Sequence, residues 1–529
     1  MPIPSTAASS TTMVDERTLL SDQQRCDILL NEIPLRPANR EPPYHIFSRR
    51  QKWNLVFLVS LAGSFSPLSS NIYFPAVDSI ASELHISASL VALTITVYMV
   101  VQGIAPSLFG AISDTGGRRL AFALTLAVYT ASNLALALTA NFPMLMVLRG
   151  LQAAGSAATI SISAGVIADI ADPSERGGFM GTNAGIRMTG QAIGPIIGGA
   201  LNSAWGFRSI FWLLFSMSIL VLVALLVFLP ETQRSVAGNG SIPLTGFKKP
   251  LAYMIRPPTE WTHAARKHDH DSPPKKPSNL LQKTLAPLGY IFQKDIAALL
   301  TWGAVVYTAW SMVTSSTTTT LLRSYPYLTQ WQIGLCFLPN GLGCVAGSLG
   351  TGRLLDASFR GVETEYKKER GINTVNVKKD RDFPFERARL ALVPYFSIAF
   401  LISMVLYGPS FELNDLHRFQ SSNLAAHLIL QFFIAFTSTA IFNVNSTMLI
   451  DCFPDRPASA TALNNLCRCL LGAAGVSIIQ PLIDSLKLMK AFMVLAGIVL
   501  CFSPLIWVEW KWGQQWRQER EKRRRDSSA

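Results

Sequence analysis

The chain has 529 residues, 49% of them hydrophobic and 15% charged, with a net charge of +13 at pH 7. Soluble domains carry about 25% charged residues, so this balance excludes an ordinary soluble fold. The positive charge does not indicate nucleic acid, because Lys and Arg sit in loops and tails between apolar runs, where they fix orientation in a bilayer.

Residues 1–48 are polar and contain Pro and Ser; they read as a disordered cytoplasmic tail without a signal peptide. Apolar runs then predict helices over 53–74, 89–112, 119–139, 143–167, 177–202 and 208–229. Such runs, about 20 residues long, match a hydrocarbon core of about 30 Å. The stretch 231–293 is polar and rich in Pro, Lys and His. Six more helices follow near 295–321, 330–356, 388–407, 422–449, 457–484 and 489–510, and residues 511–529 form a basic tail expected to lie on an anionic leaflet. The alternating short strands of a membrane barrel are absent. The predicted fold class is an all-α membrane protein of twelve transmembrane helices in two pseudo-symmetric six-helix bundles, 49–230 and 294–510.

Loop charges orient these helices. Lys and Arg concentrate in the loops after helices 2, 4, 6, 8 and 10 and in both tails, whereas the opposite loops hold only Arg208, Arg323, Arg418, Lys487 and Lys490. Both termini are therefore expected to be cytoplasmic. The six-plus-six division is supported by a degenerate repeat. After helix 2 the chain reads Gly110-Ala-Ile-Ser-Asp114-Thr-Gly-Gly-Arg118-Arg119, and after helix 8 Gly347-Ser-Leu-Gly-Thr-Gly-Arg353-Leu-Leu-Asp356. Paired halves around a midplane site are a common architecture of secondary transporters. None of the seven cysteines lies in a segment placed outside the cell, and packing is their expected role.

Several residues stand out inside or beside the helices. Asp114 lies at the end of helix 2, and Asp455-Arg-Pro457 caps helix 11; a carboxylate against a helix N-terminus gains up to about 2 kcal/mol. That contact would latch a gate, the alternative being a solvated turn. Arg118 and Arg119 would pair with Asp114 or contact lipid. Gly190, Gly194 and Gly198 share one face of helix 5 and admit a close neighbour, while Pro195 bends the helix. Arg149, Arg187 and Arg468 fall in apolar runs, where an arginine costs at least about 2.5 kcal/mol and needs a partner or a wet cavity. Asn183 and Gln191 flank Arg187 one turn either side; this stripe either binds an anionic or oxygen-rich substrate or is structural. Arg468, with Asn464 and Asn465, repeats the case. Tyr98 and Gln102 share a face, on the cavity or in interhelical hydrogen bonds. Tyr307, Trp310, Asn340, Gln431, Asn443 and Asn445 are further cavity candidates, since aromatics mixed with amides suit planar or amphipathic molecules.

Three of these stretches resemble the major facilitator superfamily: Gly110–Arg119, Arg149-Gly-Leu-Gln152-Ala-Ala-Gly155, and Gly190-Gln-Ala-Ile-Gly194-Pro195-Ile-Ile-Gly198-Gly199. The run Leu93–Pro106, with Asn71-Ile-Tyr-Phe-Pro75, is similar to fungal twelve-span drug:proton antiporters of the quinidine-resistance type. The resemblance implies a proton-coupled exporter of drugs, organic acids or a secondary metabolite, working by alternating access. It implies a coupling role for Arg149 and a gating or coupling role for Asp114, Arg118, Arg119, Gly194, Pro195 and Gly198. The proton gradient, not a cofactor or metal, is the implied energy source. The implied partners are a small-molecule substrate and membrane lipids, with a monomeric transport unit and no nucleic acid. The implied location is the cell membrane; Asp15-Glu-Arg-Thr-Leu19-Leu20 fits an acidic dileucine pattern and keeps a vacuolar or endosomal membrane as the alternative. One departure stands out. Helix 1 holds Ser64, Ser66, Ser69 and Ser70 but no acid. An organic-anion transporter without proton coupling and a nontransporting membrane sensor are the other readings; no motif of a membrane enzyme is present.

Overall fold

In the computed structural model, the described residues are 45–171, 175–255 apart from 241, 243 and 245, then 289, 291–371, 383–412, 420–452 and 457–526. The dileucine pattern, most of the middle loop and Asp455-Arg456 lie outside them. The long helices are α1 (Arg49–Asn71), α2 (Ala88–Gly116), α3 (Arg118–Ala137), α4 (Phe142–Ile170), α5 (Arg176–Trp205) and α6 (Arg208–Phe228). The second half has α7 (Lys294–Ser324), α8 (Leu338–Arg370), α9 (Val393–Tyr407), α10 (Gln420–Cys452), α11 (Pro457–Leu486) and α12 (Leu488–Phe502), followed by α13 (Pro504–Asp526).

Local chemistry sets the ends. Ser48 and Gln51 form a capping box, so α1 starts four residues before the expected boundary. Past Asn71 the chain tightens into a 3₁₀ turn at Phe74–Ala76, with Pro75 in its first turn, and continues as a short helix over Val77–Glu83. Eleven helices among the described residues are long and apolar enough to cross a membrane. The remaining predicted span, α5, has 30 residues, a length of about 45 Å. Its glycines together with Asn183, Arg187, Gln191 and Asn202 lower its hydropathy, as suits a helix that faces protein more than lipid.

The two halves repeat one packing scheme. In the first, α1 packs on α4, α5 and α6, α2 on α4, and α3 on α4 and α6; in the second, α7 packs on α10, α11 and α12, α8 on α10, and α9 on α10 and α12. Adding six to each helix number converts one set into the other. The contacts between halves obey the same rule: α2 meets α11, and α5 meets α8. Each half has its own large apolar cluster, one around Phe65, Phe122 and Phe211, the other around Trp302, Phe400 and Phe492.

The C-terminal segment differs from expectation. The last predicted helix breaks at Ser503, and Pro504, whose missing N–H costs nothing in a first turn, opens α13. Residues 511–526 continue that helix instead of forming a free basic tail. Arg517 and Arg520 are buried against Glu386 and Asp295, because those acids offer better partners than water or lipid.

Candidate functional site

The face carrying the start of α1 and the end of α2 is called the terminal face here, and the opposite one the far face. Contacts between the halves gather toward the far face. Phe74 stacks parallel to Phe337 with centroids 6.2 Å apart, and Thr318 Oγ1 donates to the Phe74 carbonyl at 2.9 Å. Thr96 and Ser477 share a hydrogen bond of 2.8 Å between α2 and α11. Nearer the middle, Asn465 Nδ2 donates to the Gln102 carbonyl at 3.0 Å.

The expected glycine face of α5 is used within its own half. A Cβ on Gly190 would lie 3.1 Å from the Ser64 carbonyl, one on Gly194 would lie 3.2 Å from the Ile72 amide, and one on Gly198 would overlap the Ile72 carbonyl oxygen. Gly199 faces the other half instead, where a Cβ would lie 2.8 Å from the Gln330 carbonyl and 2.9 Å from the Gly334 Cα. The Gly-Pro run therefore joins α5 to α1 on one side and seals the halves on the other.

Arg149 is 0% exposed and has no carboxylate beside it among the described residues. Its guanidinium lies between two rings, 4.2 Å from the Tyr73 centroid and 4.4 Å from that of Tyr98. It donates to Gln152 Oε1 at 2.5 Å, and Gln152 donates onward to Asn133 Oδ1 at 2.7 Å. This assigns Tyr98, one of the cavity candidates, to a different task. Its hydroxyl contacts the Ser66 carbonyl and Ser156 Oγ, and its ring holds Arg149. Gln102 is likewise buried, donating to Ser66 Oγ at 3.1 Å. Both side chains join α2 to α1 or α4 because apolar surroundings leave a buried hydroxyl or amide no other partners.

Arg187 and Arg468 occupy equivalent places. Each is the twelfth residue of a 30-residue helix, α5 or α11. Each follows an asparagine four residues earlier and precedes a glycine seven residues later: Asn183 and Gly194 in α5, Asn464 and Gly475 in α11. The asparagines are anchored alike, Asn183 Nδ2 to Ser163 Oγ of α4 at 3.4 Å and Asn464 Nδ2 to Ser446 Oγ of α10 at 3.0 Å. Neither arginine has a carboxylate partner among the described residues. Arg468 is covered by the rings of Tyr307, at 4.8 Å, and Phe442, at 4.5 Å, and donates to Asn465 Oδ1. Arg187 lies over Gly63 of α1, with its Cδ 3.5 Å from where a Cβ would be, and its buried Nε has no partner.

The other candidates fall around this pair or behind it. Tyr307 and Trp310 meet edge to face at 5.5 Å, and Trp310 Nε1 donates to Asn340 Oδ1 at 2.9 Å. Gln191 reaches across the interface to Cys344 Sγ at 3.3 Å. Asn443 is half-buried on α10 beside Phe442. Gln431 is buried and donates to Thr317 Oγ1 at 3.4 Å, which ties α10 to α7. Asn445 is also buried, its amide donating to the Leu299 carbonyl at 3.4 Å.

At the terminal face, Arg118 links α2, α3 and α4. It pairs with Asp114 at 2.5 Å and with Asp169 at 3.0 Å. The second half has a matching pair, Arg389 with Asp451 at 2.9 Å. The expected partner of Asp114, the cap of helix 11, lies largely outside the described residues; the carboxylate observed here is 57% exposed and bound to Arg118. Arg119, expected beside Asp114 or lipid, is buried instead. It donates to the carbonyls of Leu226 and Leu229 at the end of α6, where helix carbonyls run out of amide partners, and to that of Leu225, which also accepts the Leu229 amide. Sequence reasoning did not single out Glu231, whose carboxylate accepts the backbone N–H groups of Arg118, Arg119, Thr232 and Gln233. A lone acid just past an apolar helix was the available signal.

Comparison with known proteins agrees with this frame. Residues 59–476 match the family model described as Major Facilitator Superfamily. The chain is 47% identical over 489 residues to Citrate exporter 1 of Aspergillus niger, covering 92% of this chain and 90% of that protein. It is 31% identical over 472 residues to MFS antiporter QDR2 of Candida albicans, covering 89% and 90%. It is 30% identical over 492 residues to Quinidine resistance protein 1 of Saccharomyces cerevisiae, covering 89% and 85%. A polytopic helical chain with two equivalent halves, matched along most of its length, belongs to the major facilitator superfamily of membrane transporters.

Proposed function

We propose that this transporter exports a small organic acid bearing two or more carboxylates, bound between the halves at Arg187 and Arg468. One observation carries the reading: two arginines at equivalent positions of α5 and α11 have no acidic partner among the described residues, and the buried Nε of Arg187 is unbonded there. Two such charges in a low-dielectric interior call for an anion, and guanidinium groups bind carboxylates through paired, charge-assisted hydrogen bonds. The relative named Citrate exporter 1 supports this substrate class.

In this reading the terminal face is cytoplasmic, as the loop charges indicate, and the membrane is the plasma membrane. The closed far face makes the terminal face the side from which substrate enters. Release follows when α2–α11 and α5–α8 part and the halves close over the terminal face. The proton gradient supplies energy. Asp114 and Asp169, joined through Arg118, are the carboxylates proposed to couple protonation to that closure, since α1 has no acid and Arg149 has no carboxylate beside it.

The test is flux of radiolabelled citrate from proteoliposomes with and without an imposed proton gradient. Saturable flux that Arg187→Ala abolishes at unchanged protein content is expected. Wild-type flux in Arg187→Ala removes the anion site, and flux indifferent to collapse of the gradient removes the proton coupling.

A further inference from the structure

The second bundle contains a buried charge cluster unconnected to the substrate site. Arg517 of α13 grips Glu386 with two hydrogen bonds, Nε to Oε1 at 2.8 Å and Nη2 to Oε2 at 3.2 Å, and donates to the Phe383 carbonyl at 2.9 Å. Arg520, one turn on, pairs with Asp295 at the start of α7 at 2.8 Å. A third carboxyl, Glu509 of α13, is 3% exposed, and its Oε2 has no partner among the described residues. Its other oxygen lies 2.9 Å from where a Cβ on Gly513 would sit, and the Glu386 Cγ lies 3.1 Å from that same point. Glycine at 513 is what lets the two glutamates approach.

Among the described residues the charges do not balance. Asp295, Glu386 and Glu509 face Arg517 and Arg520, and each arginine is already committed to one of the first two acids. Cys452 of α10, which also faces the cluster, carries no positive charge. An ionised Glu509 would be a buried negative charge beside two others, which is costly unless it is neutralised. A neutral carboxylic acid avoids that cost.

We propose that Glu509 is a buried proton-binding site whose proton locks α13 across the start of α7 and the short helix Phe385–Leu390. On release the proton passes to water and the carboxylate stays behind, leaving the cluster one negative charge in excess. The helix then undocks, letting Glu509 reach solvent. The C-terminal helix is thereby a sensor of alkaline pH at the terminal face. It acts on α7, which also carries Tyr307 against Arg468 and, beside it, Trp310.

The full chain in lipid nanodiscs tests this in two ways. Infrared pH-difference spectra of wild type should show the carbonyl stretch of a neutral carboxylic acid at neutral pH, and Glu509→Gln should lack it. Hydrogen exchange over residues 504–526 should accelerate with alkaline pH beyond the intrinsic rate, by about tenfold per pH unit for one released proton, and Glu509→Gln should remove that excess. An unchanged carboxylic-acid band in the variant overturns the assignment. So does wild-type exchange with no excess over the intrinsic rate, a measurement that needs no variant. Neither readout involves substrate, so the result stands apart from the anion site.

Discussion

Replacing Arg187 by alanine separates a ligand-binding arginine from a structural one. Among the described residues its guanidinium has no acidic partner and its Nε is unbonded. Removing it therefore leaves no buried partner stranded and takes a charge out of the membrane interior, so ligand-free stability should stay level or rise. Binding should behave oppositely. One charge-assisted hydrogen bond is worth about 1.5–3 kcal/mol, so losing one weakens a carboxylate ligand about 10- to 150-fold. A ligand at 100 times its Kd stabilises by about 2.7 kcal/mol, and a Kd raised about 50-fold cuts that below about 1 kcal/mol. The assay is thermal unfolding in detergent with and without citrate. Arg149→Ala is the contrast, because Arg149 is bonded to Gln152 and held by Tyr73 and Tyr98, so its loss should lower ligand-free stability. A lower ligand-free Tm in Arg187→Ala, with citrate stabilisation intact, would refute the reasoning.

Glu231→Ala should strand four backbone amides at the start of α3 and its junction with α6, costing several kcal/mol and reducing folded protein at the membrane; normal yield and Tm would count against it. His45 should make the fold's edge acid-sensitive. Burial, then the charges of Lys52 and Arg234, lower its pKa to about 4. The folded value lies below the unfolded one of about 6.5, so this contribution is present above the unfolded pKa and is lost as pH falls from there toward the folded value. It amounts to at most about 3 kcal/mol, and amide exchange near Ile46, which donates to the Asn239 carbonyl, should rise relative to the intrinsic rate as pH falls in wild type but not in His45→Asn. Gly198→Ala and Gly334→Ala should behave differently. The first drives a methyl into Ile72 within one half and should lower Tm; the second presses on Pro195 across the halves and should instead raise labelling of cysteines introduced at the far face at unchanged Tm, by overpacking worth about 1–3 kcal/mol. Equal Tm losses in both would show that the halves do not separate at this seal.

Element identity was legible because apolar runs of membrane length have few alternatives, and because loop charges fixed the parity of the crossings. Boundaries were less so. The capping box at Ser48 could be read from Ser-x-x-Gln, whereas the continuation of α13 to Asp526 depends on Glu386 and Asp295, more than a hundred residues away in the chain. The same limit governs the site. Sequence marked Tyr98 and Gln102 as polar positions on one helical face, yet the face could not be assigned to cavity or neighbour without knowing that Ser66 and Ser156 stand opposite. Arg119 failed similarly: a basic residue at a helix start reads as an orientation charge until the carbonyls of α6 are seen within reach. Arg187 was the easier case, since an arginine deep in an apolar run with no acid at helical spacing announces an unmet charge.

Equivalent positions in the halves do not mean equivalent roles. Arg468 is spanned by the rings of Tyr307 and Phe442 and bonded to Asn465, which also bridges to α2. Its charge is thus positioned before any ligand arrives, with little side-chain entropy left to lose. Arg187 lies over Gly63 with its Nε unbonded among the described residues, so in the proposed reading it would be ordered by the ligand. An anion entering from the terminal face would meet a fixed charge on α11 and a responsive one on α5. The responsive arginine sits on the helix whose glycine run both packs on α1 and seals the far face through Gly199. Drawing Arg187 toward a ligand held by Arg468 therefore pulls on the seal itself. A second carboxylate on the substrate is what lets one ligand engage both charges, so a monocarboxylate of similar size should bind without promoting release.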